Sequence, residues 1–381
     1  PRPTVALQAT PVADADGALP ADLQLELTNT VLSVVAESYI PGALVSVGIP
    51  GQGTWAVAIG LGDVTNAAPL HQDDHFRIAS ITKTFVATVA LQLVDEGKLS
   101  LDDHLGQYID GIPNGDQITL RQVLGMTGGI YNFIYDPLIS VDYDQHPLLS
   151  FTPEQAIEII RKHGQADFTP GEKFVYSDVG FIVLGDIVQR VSGMPLDQFA
   201  HEHIFRPLGM NDTAFRPGAK LKERCAPTQK REGRWMQGEV HDPRAHALGG
   251  VAGHAGLFSS ADDLAVFTEM LLKGGVYDGK RVLSPASVTT MTAPREVGAG
   301  LLRTYGWDMK TKFSSNRGDL FPPGVSFGHT GFTGTSLWLD PPSETAVIFL
   351  SNRVHPDGKG NVTRLRGQVA TIAAGAKGAG K

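Results

Sequence analysis

The chain has 381 residues, of which 42% are hydrophobic and 19% charged, and 32 Lys and Arg residues stand against 40 Asp and Glu residues for a net charge of −8. This length predicts two domains, or one large domain with an insertion, and the composition predicts a folded core rather than disorder. The excess of acidic residues argues against a nucleic-acid partner. The chain has a single cysteine, Cys225, so it cannot form an internal disulfide. No apolar run reaches the roughly 18 residues of a transmembrane segment.

The first part of the chain predicts a leader, a helix and a hairpin. Residues 1–20 are rich in Pro, Ala and Asp and are predicted to form a flexible leader. Apolar residues at helical spacing predict a helix over residues 23–40, which a Pro-Gly pair ends. The apolar runs 43–47 and 55–59 flank a Gly-rich turn, so they predict two hairpin strands.

The middle of the chain is predicted to be mostly helical, and the tail returns to strands. Periodicity, capping residues and terminal glycines predict helices over residues 81–96, 119–126, 152–163, 181–191 and 261–272. Two β-branched or apolar runs predict a second hairpin and a further periodic segment predicts a closing helix, over residues 334–339, 345–350 and 364–374.

Strands at both ends with helices between them predict an α+β fold, in which an antiparallel sheet is built from both termini and flanked by helices. A mostly helical domain is inserted into the sheet domain. The predicted division is a leader over residues 1–20, a sheet domain over residues 21–75 and 271–381, and a mainly helical domain over residues 76–270.

A first candidate for chemistry is Ser80-Ile81-Thr82-Lys83, an S-x-x-K sequence at the start of a predicted helix. Residues three apart on a helix share a face, so Lys83 is expected to reach the Ser80 hydroxyl. A serine hydroxyl is a weak nucleophile without an adjacent base. We expect burial to lower the pKa of Lys83, which would let it act as that base. Alone, the sequence is equally consistent with a helix N-cap and a solvated lysine.

Two further motifs that could take part in such chemistry follow along the chain. Tyr176-Ser177-Asp178 precedes a helix, where Tyr176 would relay a proton and Asp178 would hold Lys83 by a charge-assisted hydrogen bond. The alternative is a packed tyrosine beside a capping aspartate.

His329-Thr330-Gly331 then precedes an apolar strand. His329 would supply positive or polar character near a substrate carboxylate, and Thr330 would donate a hydrogen bond to it. The N–H groups of Phe332 and Ser80 would form an oxyanion hole. The alternative for His329 is a turn histidine.

Taken together, these motifs resemble the serine β-lactamase and penicillin-binding protein superfamily. The nearest branch is similar to class C β-lactamases, Streptomyces-type D-Ala-D-Ala carboxypeptidases and family VIII esterases. Segments 76–80, 93–99, 170–171 and 205–210 extend the likeness, which spans about residues 25–370. Segment 249–258 resembles bacterial homologues linked to cell-wall amide hydrolysis and recycling.

The resemblance implies specific roles in a cleft between a sheet domain and a helical domain. Ser80 would be the nucleophile, Lys83 the base and Tyr176 the proton relay, with His329 and Thr330 as the wall that anchors the substrate. It also implies an extracytoplasmic location, periplasmic or secreted.

Two positions depart from the β-lactamase pattern. Asp178 stands where Asn is usual, and an ionised carboxylate accepts hydrogen bonds but donates none, which argues against efficient β-lactam turnover. His329 stands where Lys is usual in β-lactamases, and histidine there favours peptidase, amidase or esterase activity.

The preferred function is therefore a serine hydrolase that forms an acyl-enzyme on Ser80 and acts as a D-Ala-D-Ala carboxypeptidase or cell-wall-peptide amidase. Alternatives are a family VIII carboxylesterase, a class C-like β-lactamase, and a non-catalytic penicillin-binding sensor or scaffold. The partner would be a small-molecule or peptide substrate, and the sequence leaves the oligomeric state open.

Other enzyme classes lack their signatures. His201-Glu202-His203 lacks the spacing of a zinc-binding H-E-x-x-H, and no phosphate-binding loop is present, so neither a metal nor a cofactor is predicted. Gly334 to Trp338 is not a G-x-S-x-G nucleophile elbow, because tryptophan fills the last position.

Overall fold

The computed structural model describes residues 9–11, 17–135, 150 and 152–376. Its strands are β1 (Ala9–Pro11), β2 (Gly42–Ile49), β3 (Gly53–Asp63), β4 (Ala68–Pro69), β5 (Phe76–Arg77), β6 (Lys230–Arg231), β7 (Arg234–Trp235), β8 (Phe258–Ser259), β9 (Val276–Tyr277), β10 (Lys280–Arg281), β11 (Arg295–Glu296), β12 (Leu302–Arg303), β13 (Asp308–Lys310), β14 (Phe327–Thr330), β15 (Ser336–Asp340) and β16 (Thr345–Ser351). Its helices are α1 (Ala21–Glu37), α2 (Thr82–Asp95), α3 (Leu120–Leu124), α4 (Pro153–His163), α5 (Asp178–Ser192), α6 (Leu196–Ala200), α7 (Arg206–Leu208), α8 (Ala219–Glu223), α9 (Pro243–Ala247), α10 (Ala261–Leu272), α11 (Pro285–Thr292) and α12 (Thr363–Ala376).

One antiparallel sheet joins the two ends of the chain. Its strand order is β1-β3-β2-β16-β15-β14-β13-β12-β11, with β4 paired to β3. Strand β2, from the first hairpin, pairs with β16, from the last, and places Val45 opposite Phe349. The predicted α+β class, with an antiparallel sheet flanked by helices, is therefore confirmed.

Alternating side chains of the central strands fill two hydrophobic cores, one on each face of the sheet. On β16, Val347 and Phe349 join a core with α1 and α12, whereas Ile348 and Leu350 join a second core that contains buried residues of α2, α5 and α10. This is the period of two that a strand imposes on its side chains. The sheet is thus covered on both faces, and the second core supports the helix that begins beside Ser80.

Local capping chemistry sets several helix boundaries where the sequence predicts them. Thr152 caps α4 by accepting a hydrogen bond from the Gln155 N–H at 3.2 Å, and Pro153 occupies the first turn. Ser260 caps α10 in the same way. Both predicted hairpins and the closing helix are also present, as β2–β3, β15–β16 and α12.

The predicted leader lies largely outside the described residues. Within it, Ala9–Pro11 form β1, which pairs with β3, and Ala18 forms a bridge to Thr54. The segment predicted as the helical domain supplies α2 to α10, and its last helix, α10, packs directly on β2 and β16.

No single helix among the described residues is long and apolar enough to cross a membrane. One pair, α5 with the segment Leu196–Leu208, reaches that length and apolarity only across a bend of 77°.

Candidate active site

Ser80 lies in a short 3-10 turn, Ala79–Ile81, that leads directly into α2. The preceding residue, Ala79, has a φ of +49°, a conformation that is unfavourable for any residue with a side chain. Thr333 Oγ1 donates to the Arg77 carbonyl and Thr335 Oγ1 donates to the Ile78 carbonyl, at 3.1 Å for the latter. These bonds tie the turn after β14 to the segment before Ser80, so the third sequence motif lies against the first.

Lys83 lies in the first turn of α2, on the same face as Ser80, and its side chain is completely buried. Its Nζ donates to Ser80 Oγ at 3.1 Å and to the His254 carbonyl at 3.0 Å, and it forms an ion pair with Asp178 Oδ1 at 2.6 Å. An ammonium group has three N–H donors, so these three acceptors match a protonated lysine.

The sequence-based prediction of a lowered pKa for Lys83 is wrong. Burial does act to lower the pKa, but the negative charge of Asp178, together with its hydrogen bond and the neighbouring Tyr176, outweighs burial and raises it. The sequence also predicted that Asp178 holds Lys83, and the structure brings the two groups together, but the expectation for the Lys83 pKa took only burial into account. Lys83 is therefore charged in the resting site.

Tyr176 lies beside both Ser80 and Lys83, and its hydroxyl interacts electrostatically with both groups. The centre of its half-buried ring lies 4.9 Å from Lys83 Nζ and 6.2 Å from the His329 ring. Burial raises the pKa of Tyr176 further than the charge of Lys83 lowers it. In the resting site Tyr176 is thus a neutral phenol. It can pass on its hydroxyl proton as it accepts another.

His329 lies on β14 with its imidazole buried, and it is not a source of positive charge. Burial, reinforced by the charges of Arg303 and Lys83, lowers the pKa of His329 well below its ordinary value. Its Nδ1 is 2.8 Å from the Thr330 carbonyl, which assigns the proton of the neutral ring to Nδ1. The predicted positive character of His329 is therefore wrong, and only its polar Nε2 remains for the cleft.

The residues after β14 form the rim of the cleft. The Gly331 N–H donates to the Thr335 carbonyl at 2.7 Å and closes a turn. The Phe332 side chain is 63% exposed, and it stands between the His241 ring at 5.8 Å and the Arg353 guanidinium at 4.7 Å. Among the hydrogen bonds of the described residues, the backbone N–H groups of Ser80 and Phe332 have no protein acceptor, so both are available to a developing oxyanion.

The two larger cavities beside Ser80 share Ser80, Tyr176, Phe313 and Phe332 as walls. One has a volume of about 550 Å³ and is lined by cationic and polar groups, including Arg303, Thr330, Arg353 and Arg366. The other has a volume of about 920 Å³ and is lined by Asp178, Asp242 and Arg244, and by the apolar side chains of Ile134, Phe174, Leu301 and Phe313. The cleft therefore offers a cationic side and a mixed, larger side to a substrate held at Ser80.

Sequence reasoning missed several of these residues. His254 gives its carbonyl to Lys83 and bonds through Nε2 to Asp242 Oδ1 at 2.9 Å. Asp242 also caps α9. The Asp-Pro pair that is typical of a helix start could therefore have pointed to this residue in the sequence. Arg353 and Arg366 carry no such signal, because a lone arginine after a strand or on a helix usually faces solvent.

Several known proteins resemble this chain in sequence and in fold. The Beta-lactamase family model matches residues 27–371. The "Putative D-alanyl-D-alanine carboxypeptidase" of Escherichia coli (strain K12) is 34% identical, over 74% of this chain and 69% of its own length. The octameric penicillin-binding protein homologue from Pyrococcus abyssi is 26% identical, with a TM-score of 0.71 over 93% of this chain and 77% of that one.

D-amino acid amidase from Ochrobactrum anthropi SV3 shares the fold, with a TM-score of 0.71 at 21% identity over 93% of this chain and 98% of that one. The family match extends over nearly all of the described residues and includes every motif gathered around Ser80. This chain therefore belongs to the Beta-lactamase family and is a serine hydrolase.

Proposed function

We propose that this hydrolase removes a C-terminal D-amino acid from cell-wall peptides through an acyl-enzyme on Ser80. The observation that carries the proposal is the cationic cavity beside Ser80, in which Arg303 and Thr330 lie next to the cluster of Ser80, Lys83 and Tyr176. Arg303 is almost fully buried, and among the described residues its Nε and Nη2 have no hydrogen-bond partner. A carboxylate next to the scissile bond would satisfy them, and a carboxypeptidase substrate carries one on its leaving group.

Acylation would begin with attack of Ser80 Oγ on the scissile carbonyl. Because Lys83 starts as an ammonium, the N–H that it donates to Ser80 Oγ in the resting site would first turn to Tyr176. Tyr176 would take that proton as it passes its own hydroxyl proton to the leaving nitrogen, and the neutral Lys83 would then take the Ser80 proton. The bond from carbon to nitrogen breaks, the bond from carbon to Ser80 Oγ forms, and the leaving amine departs with the relayed proton. Water would then reverse the relay and release the acyl group.

The backbone would stabilise the transition state in this scheme. The Ser80 and Phe332 N–H groups would donate to the oxyanion, a contribution worth about 3 kcal/mol per donor in comparable hydrolases. Asp178 would keep Lys83 oriented toward Ser80. Its carboxylate cannot donate to a substrate amide as asparagine would, which weighs against a β-lactamase function.

The names of the Escherichia coli relatives support this substrate class. Peptides that end in D-alanyl-D-alanine belong to the bacterial cell wall, so the proposal includes an extracytoplasmic location and a small peptide as partner. A carboxylesterase is the second candidate, because the apolar part of the larger cavity would accept a bulky acyl group.

Hydrolysis of matched peptides tests the proposal. We expect N-acyl-L-Lys-D-Ala-D-Ala to be cleaved with kcat/KM about tenfold or more above that of its C-terminal amide, because only the free acid carries the carboxylate. Release of D-alanine would be measured beside hydrolysis of p-nitrophenyl acetate. Equal cleavage of acid and amide would contradict the role of the cationic cavity, and ester hydrolysis without any peptide cleavage would favour the esterase.

A further inference from the structure

Two arginines of the cationic cavity have no carboxylate partner among the described residues. Arg353 follows β16, and its Nη1 donates to the Gly360 carbonyl at 3.2 Å. Arg366, on α12, donates from Nη2 to the carbonyls of Gly331 and Thr335, at 3.1 and 2.6 Å. Throughout the described ranges, neither guanidinium forms an ion pair. Both nevertheless line the cavity that begins at Ser80.

The other positively charged side chains of this region form ion pairs with carboxylates. Arg303 pairs with Asp308 at 3.1 Å, and Lys359 pairs with Asp357 at 3.4 Å. Lys83 pairs with Asp178, as described above, and His329 is neutral. The cavity wall therefore carries two positive charges, those of Arg353 and Arg366, that its own carboxylates do not neutralise.

A comparison with Arg77 shows that Arg366 differs from an arginine whose hydrogen bonds only stabilise the fold. Arg77 is also buried without an ion pair, but its Nε and both Nη atoms all donate to backbone carbonyls. The Nε of Arg366 is buried and has no hydrogen-bond partner. Burial, and after it the positive charge of Arg353, lowers the pKa of Arg366 to about 9, and both guanidinium groups line the same cavity. Such an arrangement is unfavourable unless an anion lies against it.

We propose that Arg353 and Arg366 bind a second carboxylate on the leaving group, so that the preferred leaving group is an acidic D-amino acid, such as D-glutamate. This inference rests on the proposed carboxypeptidase function, in which Thr330 and Arg303 take the α-carboxylate. Two unbalanced positive charges match a doubly charged leaving group, whereas D-alanine supplies only one negative charge. A planar guanidinium binds carboxylate through two parallel hydrogen bonds, which makes the pair selective for this group.

The test uses three peptides that share the acyl half N-acyl-L-Lys-D-Ala and differ in the leaving residue, which is D-Glu, D-Gln or D-Ala. D-Gln has the shape of D-Glu without its second charge. We expect kcat/KM for D-Glu to exceed that for D-Gln by about tenfold or more, and the ratio to fall as salt is added. In Arg353→Gln the ratio should approach one. Arg364→Gln removes an exposed charge from α12 that pairs with Glu37, so it should keep the wild-type ratio.

A binding measurement keeps the inference testable if no peptide is cleaved. Free D-glutamate should inhibit p-nitrophenyl acetate hydrolysis at a concentration about tenfold below that of D-glutamine, and Arg353→Gln should remove the difference. Equal cleavage of the D-Glu and D-Gln peptides, or equal inhibition by the two amino acids, would overturn the second carboxylate site. Failure of every peptide together with selective inhibition by D-glutamate would instead refute the carboxypeptidase function and retain the site.

Discussion

Replacing Ser80 with alanine is expected to lower kcat for ester hydrolysis by about 10,000-fold or more while the protein stays folded. The variant removes the only atom that we propose as nucleophile. The predicted N-cap role of Ser80 is wrong, because the residue that precedes α2 is Ile81 and no side chain caps that helix. The substitution is instead expected to lower the free energy of unfolding by about 1 kcal/mol, because Lys83 Nζ loses one hydrogen-bond acceptor. Turnover of p-nitrophenyl acetate and the thermal midpoint check both expectations.

A second serine provides the control. Ser260→Ala removes a true N-cap, that of α10, and should cost about 1 kcal/mol of stability while turnover remains. The two variants thus separate loss of chemistry from loss of stability. Wild-type rates in Ser80→Ala would refute the assignment of the nucleophile.

Replacing Lys83 with methionine is expected to abolish turnover and also to destabilise the fold. The substitution leaves the Asp178 carboxylate without its cation, and an unpaired, mostly buried charge costs about 3 kcal/mol. Adding Asp178→Asn removes that charge, so the double variant should regain most of the stability but none of the activity. Urea unfolding and ester hydrolysis of the two variants measure this. Recovery of activity in the double variant would show that Lys83 takes no part in the proton relay.

Asp178→Asn alone provides a readout that depends on pH. Asp178 raises the pKa of Lys83, so its removal lowers that pKa. If the ammonium form carries the relay, the alkaline limb of the kcat profile moves to lower pH. Movement of the acid limb to lower pH would instead show that neutral Lys83 is the active form. An unchanged profile would contradict coupling between the two groups.

The elements that the sequence predicted well are those set by local rules. The start of α4 follows from Thr152 and Pro153, and the two faces of β16 follow from its unbroken β-branched and apolar run. The three motifs around Ser80 were also recognised from the sequence, because their order and spacing match those of a known family.

The charge states of the site were not recoverable from the sequence. The pKa of Lys83 depends on burial and on its contacts with Asp178 and Tyr176, and the balance among them is set only in the folded chain. The pKa of His329 is likewise lowered first by burial and then by the charge of Arg303, which approaches from another strand of the sheet. Burial alone gave the wrong sign for Lys83, since it omits the neighbouring charge.

The most direct test of the acyl-enzyme is intact-protein mass spectrometry after reaction with a fluorescent penicillin, followed by peptide mapping. We predict one adduct per chain, on the peptide that contains Ser80, and no adduct in Ser80→Ala. An adduct that persists in Ser80→Ala, or that maps to a different residue, would contradict the proposed mechanism.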